Sequence, residues 1–415
     1  MHSRGVSVAK CRFCGAELHA VVADLGASPP SNAFIDPARG AAGEHSYRLR
    51  LYICERCWLV QLEQFQTPAE IFSDEYAYFS SYSSTWLAHV DAFAAAAITR
   101  FGLGGESLVV EVASNDGYLL KRFRDRGIPV FGIEPARNVA EAAIAGGIPT
   151  AIEFLTRSSG SSLAARGKCG DLVVGNNVLA HVPDLNDFVS GLAALVKPDG
   201  ALTLEFPHVL RMVERSEFDT IYHEHFSYFS LAAAANVLEA HGLYVFDVDE
   251  LPTHGGSLRV YARRTRSAPA VSIERVLRAE REAGLTTVAG YAALQKKAET
   301  VKSTLLEFLN RCKRDGARVA GYGAPAKATT LLNFCGIGTG LLEYTVDRSP
   351  HKQGRWMPGV HIPISAPERI FETKPDYVLI LPWNLRDEIC EQMAGISAWG
   401  GRFVVPIPSL EIITP

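Results

Sequence analysis

The sequence lacks an uninterrupted apolar stretch of about 18 residues, the length at which a hydrophobic helix can span a bilayer. Residues 1–10 also lack the apolar core of a signal peptide. The richest apolar segments, such as residues 231–238, are too short to cross a membrane and predict buried helices. From these absences we expect a soluble cytoplasmic protein with no membrane partner.

An excess of charge of one sign is also missing, because 41 Lys and Arg residues are balanced by 45 Asp and Glu residues. The formal net charge of −4 gives no electrostatic reason to bind a polyanion such as DNA. Residues 1–70 contain no run of basic residues either. We therefore expect no nucleic-acid partner.

Residues 1–70 have too little apolar periodicity to build a core of their own. They do contain four of the eight cysteines, as two Cys-x-x-Cys pairs on either side of residues 15–53. Two such pairs are typical of a four-thiolate zinc site, which is structural because it leaves no position for a catalytic water. A redox disulfide and an iron–sulfur cluster are the alternatives. The predicted zinc ligands are Cys11, Cys14, Cys54 and Cys57.

From about residue 108 the chain alternates apolar strands with helical segments, which predicts right-handed βαβ units and a parallel sheet. Two further strands at residues 243–248 and 256–263 would complete that sheet. A helical stretch follows, and a second β-α series begins at Arg318. A chain of 415 residues exceeds what one core usually serves, so several domains are expected.

The segment Glu111-Val-Ala-Ser-Asn-Asp-Gly117 follows the first strand of the central series. Class I methyltransferases carry an acidic-x-Gly-x-Gly-x-Gly loop at this place, where small residues let the backbone approach S-adenosylmethionine. Glu134 ends the next strand and could accept both hydroxyls of the ribose. A dinucleotide or a purely structural turn would fit the pattern equally. Ligands lie at the carboxyl ends of parallel strands, so the cofactor-binding candidates are Ala113, Asn115, Gly117, Glu134, Glu153, Phe154, Asn176 and Asn177.

The segment Tyr222-His-Glu-His225 lies between the fifth strand and a helix that starts near Leu231. A loop at this place overhangs the cofactor, and imidazole suits general-base work because its pKa lies near neutrality. The spacing does not fit the His-Glu-x-x-His zinc motif. A solvated surface loop is the alternative for this segment. His181 and Tyr76 are further catalytic candidates, for which bracing of the crevice and ordinary packing are equal alternatives.

In the C-terminal half, Gly321-x-Gly323-x-x-Ala326 follows a strand and opens a helix, and Asp347 ends the next strand. This is a dinucleotide-type fingerprint, so a redox role with NAD is the competing interpretation. Lys327 at the helix N-terminus, with His351 and Arg355 downstream, would equally suit a diphosphate.

Ten motifs occur in a fixed order along the chain. They are Cys11-x-x-Cys14, Asp24-Leu-Gly, Cys54-x-x-Cys57, Tyr76-x-Tyr78-x-Ser80-Ser81, Glu111-Val-Ala-Ser-Asn-Asp-Gly117, Gly132-Ile-Glu-Pro135, Asn177-x-Leu-x-His181, Tyr222-His-Glu-His225, Gly255-Gly256-Ser257 and Gly321-Tyr-Gly-Ala-Pro-Ala-Lys327. This order resembles the sugar C-methyltransferase family, which builds branched deoxysugars for antibiotics, and within it the C-3′-methyltransferases of D-tetronitrose biosynthesis. The match extends over essentially the whole chain.

The resemblance implies an α/β fold with an N-terminal zinc module, a central class I methyltransferase Rossmann-like domain and a second, C-terminal Rossmann-like α/β domain. We expect the zinc module over residues 1–70, the methyltransferase domain over 71–265, a helical connector over 266–310 and the C-terminal domain over 311–415. The resemblance also implies that Ala113 and Asn115, which replace two glycines of the general methyltransferase loop, are normal for this subgroup.

The resemblance further implies an enzyme that uses S-adenosylmethionine to methylate C3 of a dTDP-linked 3-amino-4-keto-2,3,6-trideoxyhexose through an enolate. We expect a monomer, although no motif in the sequence determines the quaternary state. It implies that His225 is the base and that Tyr222 and Glu224 position His225 or the sugar. The predicted substrate-binding residues are Tyr78, Ser80, Gly323, Lys327, His351 and Arg355. N- or O-methylation of a nucleotide sugar, and a non-enzymatic zinc-dependent binding protein, remain the alternatives.

Overall fold

A computed structural model describes residues 9–71 and 79–415. Its strands are β1 (Ala20–Ser28), β2 (Tyr47–Ile53), β3 (Val60–Leu62), β4 (Val109–Val112), β5 (Val130–Ile133), β6 (Thr150–Ala151), β7 (Gly170–Asn176), β8 (Val196–Pro207), β9 (Ser227–Tyr228), β10 (Tyr244–Leu251), β11 (Ser257–Arg263), β12 (Val319–Tyr322), β13 (Thr345–Val346), β14 (Ile364–Ser365), β15 (Tyr377–Ile380), β16 (Arg402–Val405) and β17 (Glu411–Ile413).

The helices of the same residues alternate with these strands over most of the chain. They are α1 (Pro68–Ile71), α2 (Ser84–Phe101), α3 (Leu120–Arg124), α4 (Arg137–Ala145), α5 (Arg157–Ala165), α6 (Leu185–Leu195), α7 (Val209–Glu214), α8 (Leu231–Glu239), α9 (Val271–Glu282), α10 (Ala293–Arg314), α11 (Ala326–Cys335), α12 (Arg369–Thr373) and α13 (Arg386–Gln392). None of them combines the length and the apolar character that crossing a membrane requires.

The central sheet has seven strands in the order β10-β11-β8-β7-β4-β5-β6. The five strands from β8 to β6 are parallel, whereas β11 and β10 are antiparallel additions at one edge. The C-terminal sheet has the order β14-β13-β12-β15-β16-β17, parallel except for β17. The predicted α/β fold with two Rossmann-like sheets is therefore confirmed, as is the pair of strands that completes the central sheet.

A third, antiparallel sheet joins the N-terminal segment to the middle of the chain. Its order is β1-β2-β3-β9, and β9 follows the Tyr222–His225 loop. At this junction Val60 pairs with Tyr228 and Gln61 pairs with Ser227. The loop that carries the predicted base is thus attached directly to the N-terminal sheet.

The buried clusters cross the boundaries that we expected from the sequence. Leu51 of the N-terminal sheet shares a cluster with Leu305 of α10 and Val378 of the C-terminal sheet. Cys54, a predicted zinc ligand, shares another cluster with Val110 of the central sheet. The N-terminal segment therefore obtains from its neighbours the core that its own sequence lacks. Helix α10 also continues past residue 310, the expected end of the connector.

Glu280 of α9 fixes the connector to the central domain from a fully buried position. Its carboxylate accepts backbone N–H groups from Leu231 (2.5 Å) and Ala232 (3.1 Å) at the start of α8. It also pairs with His208 Nε2 at 2.7 Å, and both side chains are 2% exposed. The Glu280 carboxylate therefore accepts from three donors at the domain junction, and an anion at a helix N-terminus is itself stabilising.

We expect Glu280→Ala to lower the free energy of unfolding by about 3–5 kcal/mol, because it leaves His208 and two helix N–H groups buried without their acceptor. Urea unfolding measures this loss. Glu282→Ala removes an exposed carboxylate from the same helix and should change stability by less than about 0.5 kcal/mol. Equal effects of the two variants would contradict the assignment.

Candidate functional site

A cleft of about 630 Å³ lies where the three sheets meet. Its walls come from the N-terminal segment at Asn32, from the carboxyl ends of the central strands, from the Tyr222–His225 loop and from the start of α11 at Lys327. A cleft of this size suits a small molecule with its cofactor. It is here that the structure brings together most residues of the predicted site.

The loop after β4 keeps a glycine-like backbone although two of its three glycines are replaced. Ala113 has φ 55°, Asn115 has φ 49° and Gly117 has φ 75°. This left-handed region costs a residue with a Cβ about 1–2 kcal/mol. Ala113 and Asn115 line the cleft, whereas Gly117 does not, because it packs against Ile148, whose Cγ1 lies 2.9 Å from where a Cβ would be. Gly117 therefore shapes the turn that carries the cleft-lining residues.

Glu134 stands at the end of β5 and is 4% exposed. Its Oε2 accepts the backbone N–H of Asn115 at 3.0 Å, and its Oε1 accepts that of Ala136 at 2.9 Å. Burial raises the pKa of this carboxyl to about 7, although the two backbone hydrogen bonds act in the opposite direction. The carboxylate thus lies against the left-handed loop at the cleft wall.

The neighbouring strand ends present polar and aromatic groups that suit an adenosyl ligand. Asn176 is buried, and neither its Oδ1 nor its Nδ2 has a hydrogen-bond partner within residues 9–71 and 79–415. Buried amide atoms of this kind are normally paired, so they favour a ligand at this position. Asn177, Glu153 and Phe154 line the same part of the cleft. The residues therefore fit S-adenosylmethionine.

Tyr222 and His225 form a hydrogen-bonded pair on the opposite wall. His225 Nδ1 lies 3.0 Å from the Thr220 carbonyl, which can only accept, so Nδ1 carries the proton. Nε2 therefore accepts from the Tyr222 hydroxyl at 2.7 Å. Burial, with nearby His181 as the second cause, holds the pKa of His225 well below its ordinary value. The imidazole is neutral and its free electron pair is directed at the tyrosine hydroxyl.

His181 and Glu224 flank this pair. The ring of His181 meets that of His225 edge-on, with centroids 4.7 Å apart, and burial lowers its pKa to about 4. Glu224 accepts from Asn32 Nδ2 at 2.8 and 2.9 Å, and burial raises its pKa to about 7. Both residues line the cleft, whereas Tyr76 lies outside the described residues.

The predicted substrate residues are divided between the cleft and the surface. Lys327 lines the cleft, as does Ser80, whose N–H donates to Asn115 Oδ1 at 2.8 Å. Gly323 does not, because it packs beneath Pro382, whose Cδ lies 2.5 Å from where a Cβ would be. Tyr78 lies outside the described residues.

His351 and Arg355 are exposed and do not line the cleft, contrary to our prediction. They occupy a turn, where neighbouring side chains point in different directions, and it is Lys352 between them that lines the cleft. The Lys352 ammonium donates to the Ala324 carbonyl at 3.0 Å. The His351 ring stacks on Phe79 with centroids 5.5 Å apart.

Sequence reasoning missed several residues of the cleft. These residues are Asn32, Trp86, His254, Lys352 and Asn384. His254 has φ 55°, and its Nε2 lies 3.2 Å from Asn177 Nδ2. The Gly255-Gly256 pair beside it was the available signal, because such glycines accompany unusual backbone turns. Nothing in the sequence near Asn32 indicates that it belongs to the cleft, because its position depends on a contact with Glu224, which is distant in sequence.

The four N-terminal cysteines have the geometry of a metal site. Their sulfur atoms all lie within 4.8 Å of one another, with 3.5 Å between Cys11 and Cys57 and 3.5 Å between Cys14 and Cys54. A tetrahedral zinc ion with Zn–S bonds of about 2.3 Å needs sulfur atoms about 3.8 Å apart. All four thiols are free of disulfide bonds. The arrangement fits a closed, structural zinc site.

We expect one zinc ion per chain in the purified protein, because four thiolates complete its coordination. Cys54→Ser should lose most of the zinc and lower the melting temperature, since metal binding contributes to folding. Elemental analysis and calorimetry measure both effects. Cys169→Ser, a thiol outside the cluster, should keep the metal. Iron in place of zinc would contradict the assignment.

We expect Glu134→Ala to weaken S-adenosylmethionine binding by about 1.5–3 kcal/mol, because a charge-assisted contact is lost. With a pKa of about 7 in the free enzyme, Glu134 takes up a proton as the pH falls. Wild-type affinity should therefore fall below pH 7, by at most about tenfold per pH unit.

Calorimetry between pH 8 and pH 6 measures both effects. Glu134→Gln should give a weaker affinity that does not change with pH over this range. Glu141→Ala, which removes an exposed carboxylate from α4, should bind as the wild type does. Wild-type binding by Glu134→Ala would show that the crevice is misassigned.

Solved methyltransferases resemble about half of the chain. Magnesium protoporphyrin IX methyltransferase from Synechocystis PCC 6803 with bound SAM is 17% identical and covers 51% of this chain and 89% of its own, with a TM-score of 0.33. The 1,6-didemethyltoxoflavin-N1-methyltransferase of Burkholderia thailandensis is 18% identical and covers 50% of this chain and 95% of its own, with a TM-score of 0.38.

Family models and a full-length relative account for nearly the whole chain. The models are a zinc binding domain over residues 11–72, a methyltransferase domain over residues 86–248 and a C-methyltransferase C-terminal domain over residues 252–408. The C-methyltransferase NovU of Streptomyces niveus is 36% identical over 407 residues, 98% of this chain and 97% of that protein. The chain therefore belongs to the S-adenosylmethionine-dependent C-methyltransferase family, with a structural zinc module in front of its methyltransferase domain.

Proposed function

We propose that the enzyme methylates C3 of a dTDP-linked 3-amino-4-keto-2,3,6-trideoxyhexose and so forms a branched deoxysugar for an antibiotic. The motif order supports the sugar, and the family membership supports transfer to carbon. The cleft between the central and C-terminal sheets has room for a nucleotide sugar beside a cofactor.

The observation that carries this proposal is the neutral Tyr222–His225 pair in the cleft wall. A ketosugar carbon cannot take a methyl group until a proton has left it, whereas an amine or a hydroxyl needs little more than alignment. A buried imidazole with a free electron pair provides the required base. The pair therefore favours C-methylation over N- or O-methylation.

The hydrogen bonds define a route for the proton. Tyr222 takes the proton from C3 while its own hydroxyl proton passes to His225 Nε2, and the electron pair of the C–H bond moves into the enolate. The resulting imidazolium is held by the Thr220 carbonyl at Nδ1 and by the tyrosine oxygen at Nε2. Such acid–base participation typically contributes about 10²–10⁴-fold to a rate.

S-adenosylmethionine supplies the electrophilic methyl group when it is bound. Glu134 and Asn176 would hold the adenosyl part at the ends of the central strands, in the cleft that Tyr222 also lines. Holding the methyl group and C3 close together supplies a further large part of the acceleration.

Glu224 is the second candidate for the base, because burial raises its pKa to about 7. However, both of its oxygens accept from the Asn32 amide, which holds the carboxylate in the wall. We therefore assign Glu224 to positioning of the loop or of the sugar. Glu224→Gln keeps an oxygen for Asn32 and separates the two roles.

We expect His225→Asn to abolish exchange of the C3 proton in deuterated water without cofactor, and to abolish methylation, while dTDP still binds. Because the pKa of His225 is depressed, its protonation should not reduce the exchange rate between pH 8 and pH 6.5. NMR follows both the exchange and the position of a labelled methyl group.

Tyr222→Phe should reduce exchange strongly, whereas Glu224→Gln should retain most of it. His19→Asn changes an exposed histidine and serves as the control. Exchange at the wild-type rate in His225→Asn would transfer the role to Glu224 or His181. A methyl label on nitrogen or oxygen would refute the proposed function itself.

A further inference from the structure

Lys327 brings a partly buried ammonium group to the cleft wall. Its Nζ donates to Asn384 Oδ1 at 2.8 Å and lies 4.2 Å from the centre of the Trp383 ring. Among residues 9–71 and 79–415, Asn384 is its one hydrogen-bond acceptor, and no carboxylate lies within 4.0 Å. An ammonium has three N–H donors, so two of them remain for a ligand in the cleft.

The helix that carries Lys327 is attached to the loop that carries the proposed base. Thr330 of α11 donates to the carbonyl of Ile221, next to Tyr222, at 2.9 Å. Thr329 donates to the carbonyl of Ser31, next to Asn32, at 3.0 Å. These two bonds fix the start of α11 relative to both of these segments.

Trp383 provides a second connection between Lys327 and the base. Its indole N–H donates to Asp219 Oδ2 at 2.7 Å, and Asp219 precedes Thr220, the residue whose carbonyl holds His225. The face of this fixed indole supports the ammonium through a cation–π contact. Lys327 is therefore held in a defined position on the same side of the cleft as the Tyr222–His225 pair.

Two buried carboxyl groups near the ammonium favour its charged form. Burial lowers the pKa of Lys327, and Asp219 and Glu217 oppose that shift. Neither Asp219 Oδ1 nor Glu217 Oε1 has a hydrogen-bond partner in the described part of the chain. The carboxylates thus act on Lys327 through space and leave its N–H groups available to the cleft.

We propose that Lys327 is a catalytic residue that donates a hydrogen bond to the C4 oxygen of the ketosugar and stabilises the negative charge that develops there. This inference rests on the proposed function. When the C3 proton leaves for Tyr222 and His225, the electron pair delocalises onto O4, where Lys327 holds it. When C3 takes the methyl group, the same pair forms the new C–C bond and the ketone returns, so that Lys327 neither gains nor loses a proton.

The chemistry requires such a group. A histidine whose pKa is held below its ordinary value is a weak base for a carbon acid, so the enolate must be stabilised as it forms. Preorganised donors at a developing oxyanion are usually the largest single contribution to catalysis. The sequence suggested a diphosphate partner for Lys327, together with His351 and Arg355, but both of those residues are exposed. Lys352, which pairs with Asp347 and also lines the cleft, is then the cation that remains for the diphosphate.

The test compares two lysine variants of the full-length zinc-bound enzyme. We expect Lys327→Met to slow cofactor-free exchange of the C3 proton by about 100- to 1000-fold at saturating dTDP-ketosugar, with an unchanged dissociation constant for dTDP alone. Lys352→Met should instead weaken dTDP binding. Lys296→Met removes an exposed charge from α10 and should change neither value.

Weaker dTDP binding by Lys327→Met with an unchanged exchange rate at saturation would assign Lys327 to the diphosphate and overturn the inference. Wild-type behaviour in both measurements would also overturn it. If Lys327→Met does not fold, Lys327→Leu removes the same N–H donors with a shorter side chain, and the same two outcomes apply to it. Absence of exchange in the wild type would refute the proposed function and not Lys327 alone.

Discussion

The pairing of β3 with β9 is the contact on which the rest of the site depends. Gln61 of β3 donates to the Cys11 sulfur at 3.2 Å and pairs with Ser227 of β9, two residues after His225. Leu62 extends the junction by donating to the Phe226 carbonyl at 3.0 Å. One buried glutamine therefore connects the zinc ligands with the strand that follows the Tyr222–His225 loop. Through this connection a structural metal would help to hold the loop that carries the proposed base.

Burial acts in opposite directions on the acids and the histidines of the cleft. It raises the pKa of Glu134, Glu217 and Glu224 to about 7. Between their ordinary pKa and about 7 these carboxyls bind protons more in the folded state, so their contribution to stability falls as the pH rises. His181 and His254, with a pKa of about 4, bind protons less in the folded state from about 4 to 6.5, so their contribution rises with pH. The acids and the histidines therefore change the stability in opposite directions over nearly the same pH range. As a result, the cleft can bury many ionisable groups without a steep dependence of stability on pH.

Local patterns allowed the zinc cysteines, the strand ends and the antiparallel completion of the central sheet to be predicted, because each depends on residues close in sequence or on a regular period. Asn32 could not be predicted, since its contact with Glu224 arises only when the N-terminal sheet docks. A second limit of prediction from sequence is shown by His351, Lys352 and Arg355. All three are basic and adjacent to a strand end, yet the direction of each side chain is determined by the turn, and only Lys352 lines the cleft.

The left-handed backbone of Ala113 and Asn115 illustrates how a departure from a motif can be tolerated. Glycines at these positions would adopt the conformation freely but would also enlarge the conformational freedom of the unfolded chain. Here the Asn115 N–H is held by Glu134, and the Asn115 side chain accepts the N–H of Ser80. The Asn115 side chain thus makes a contact that glycine could not make, and it joins the segment after residue 78 to the cofactor loop. The conformational cost of the positive φ angles at Ala113 and Asn115 is offset by this hydrogen bond with Ser80, which links two walls of the same cleft.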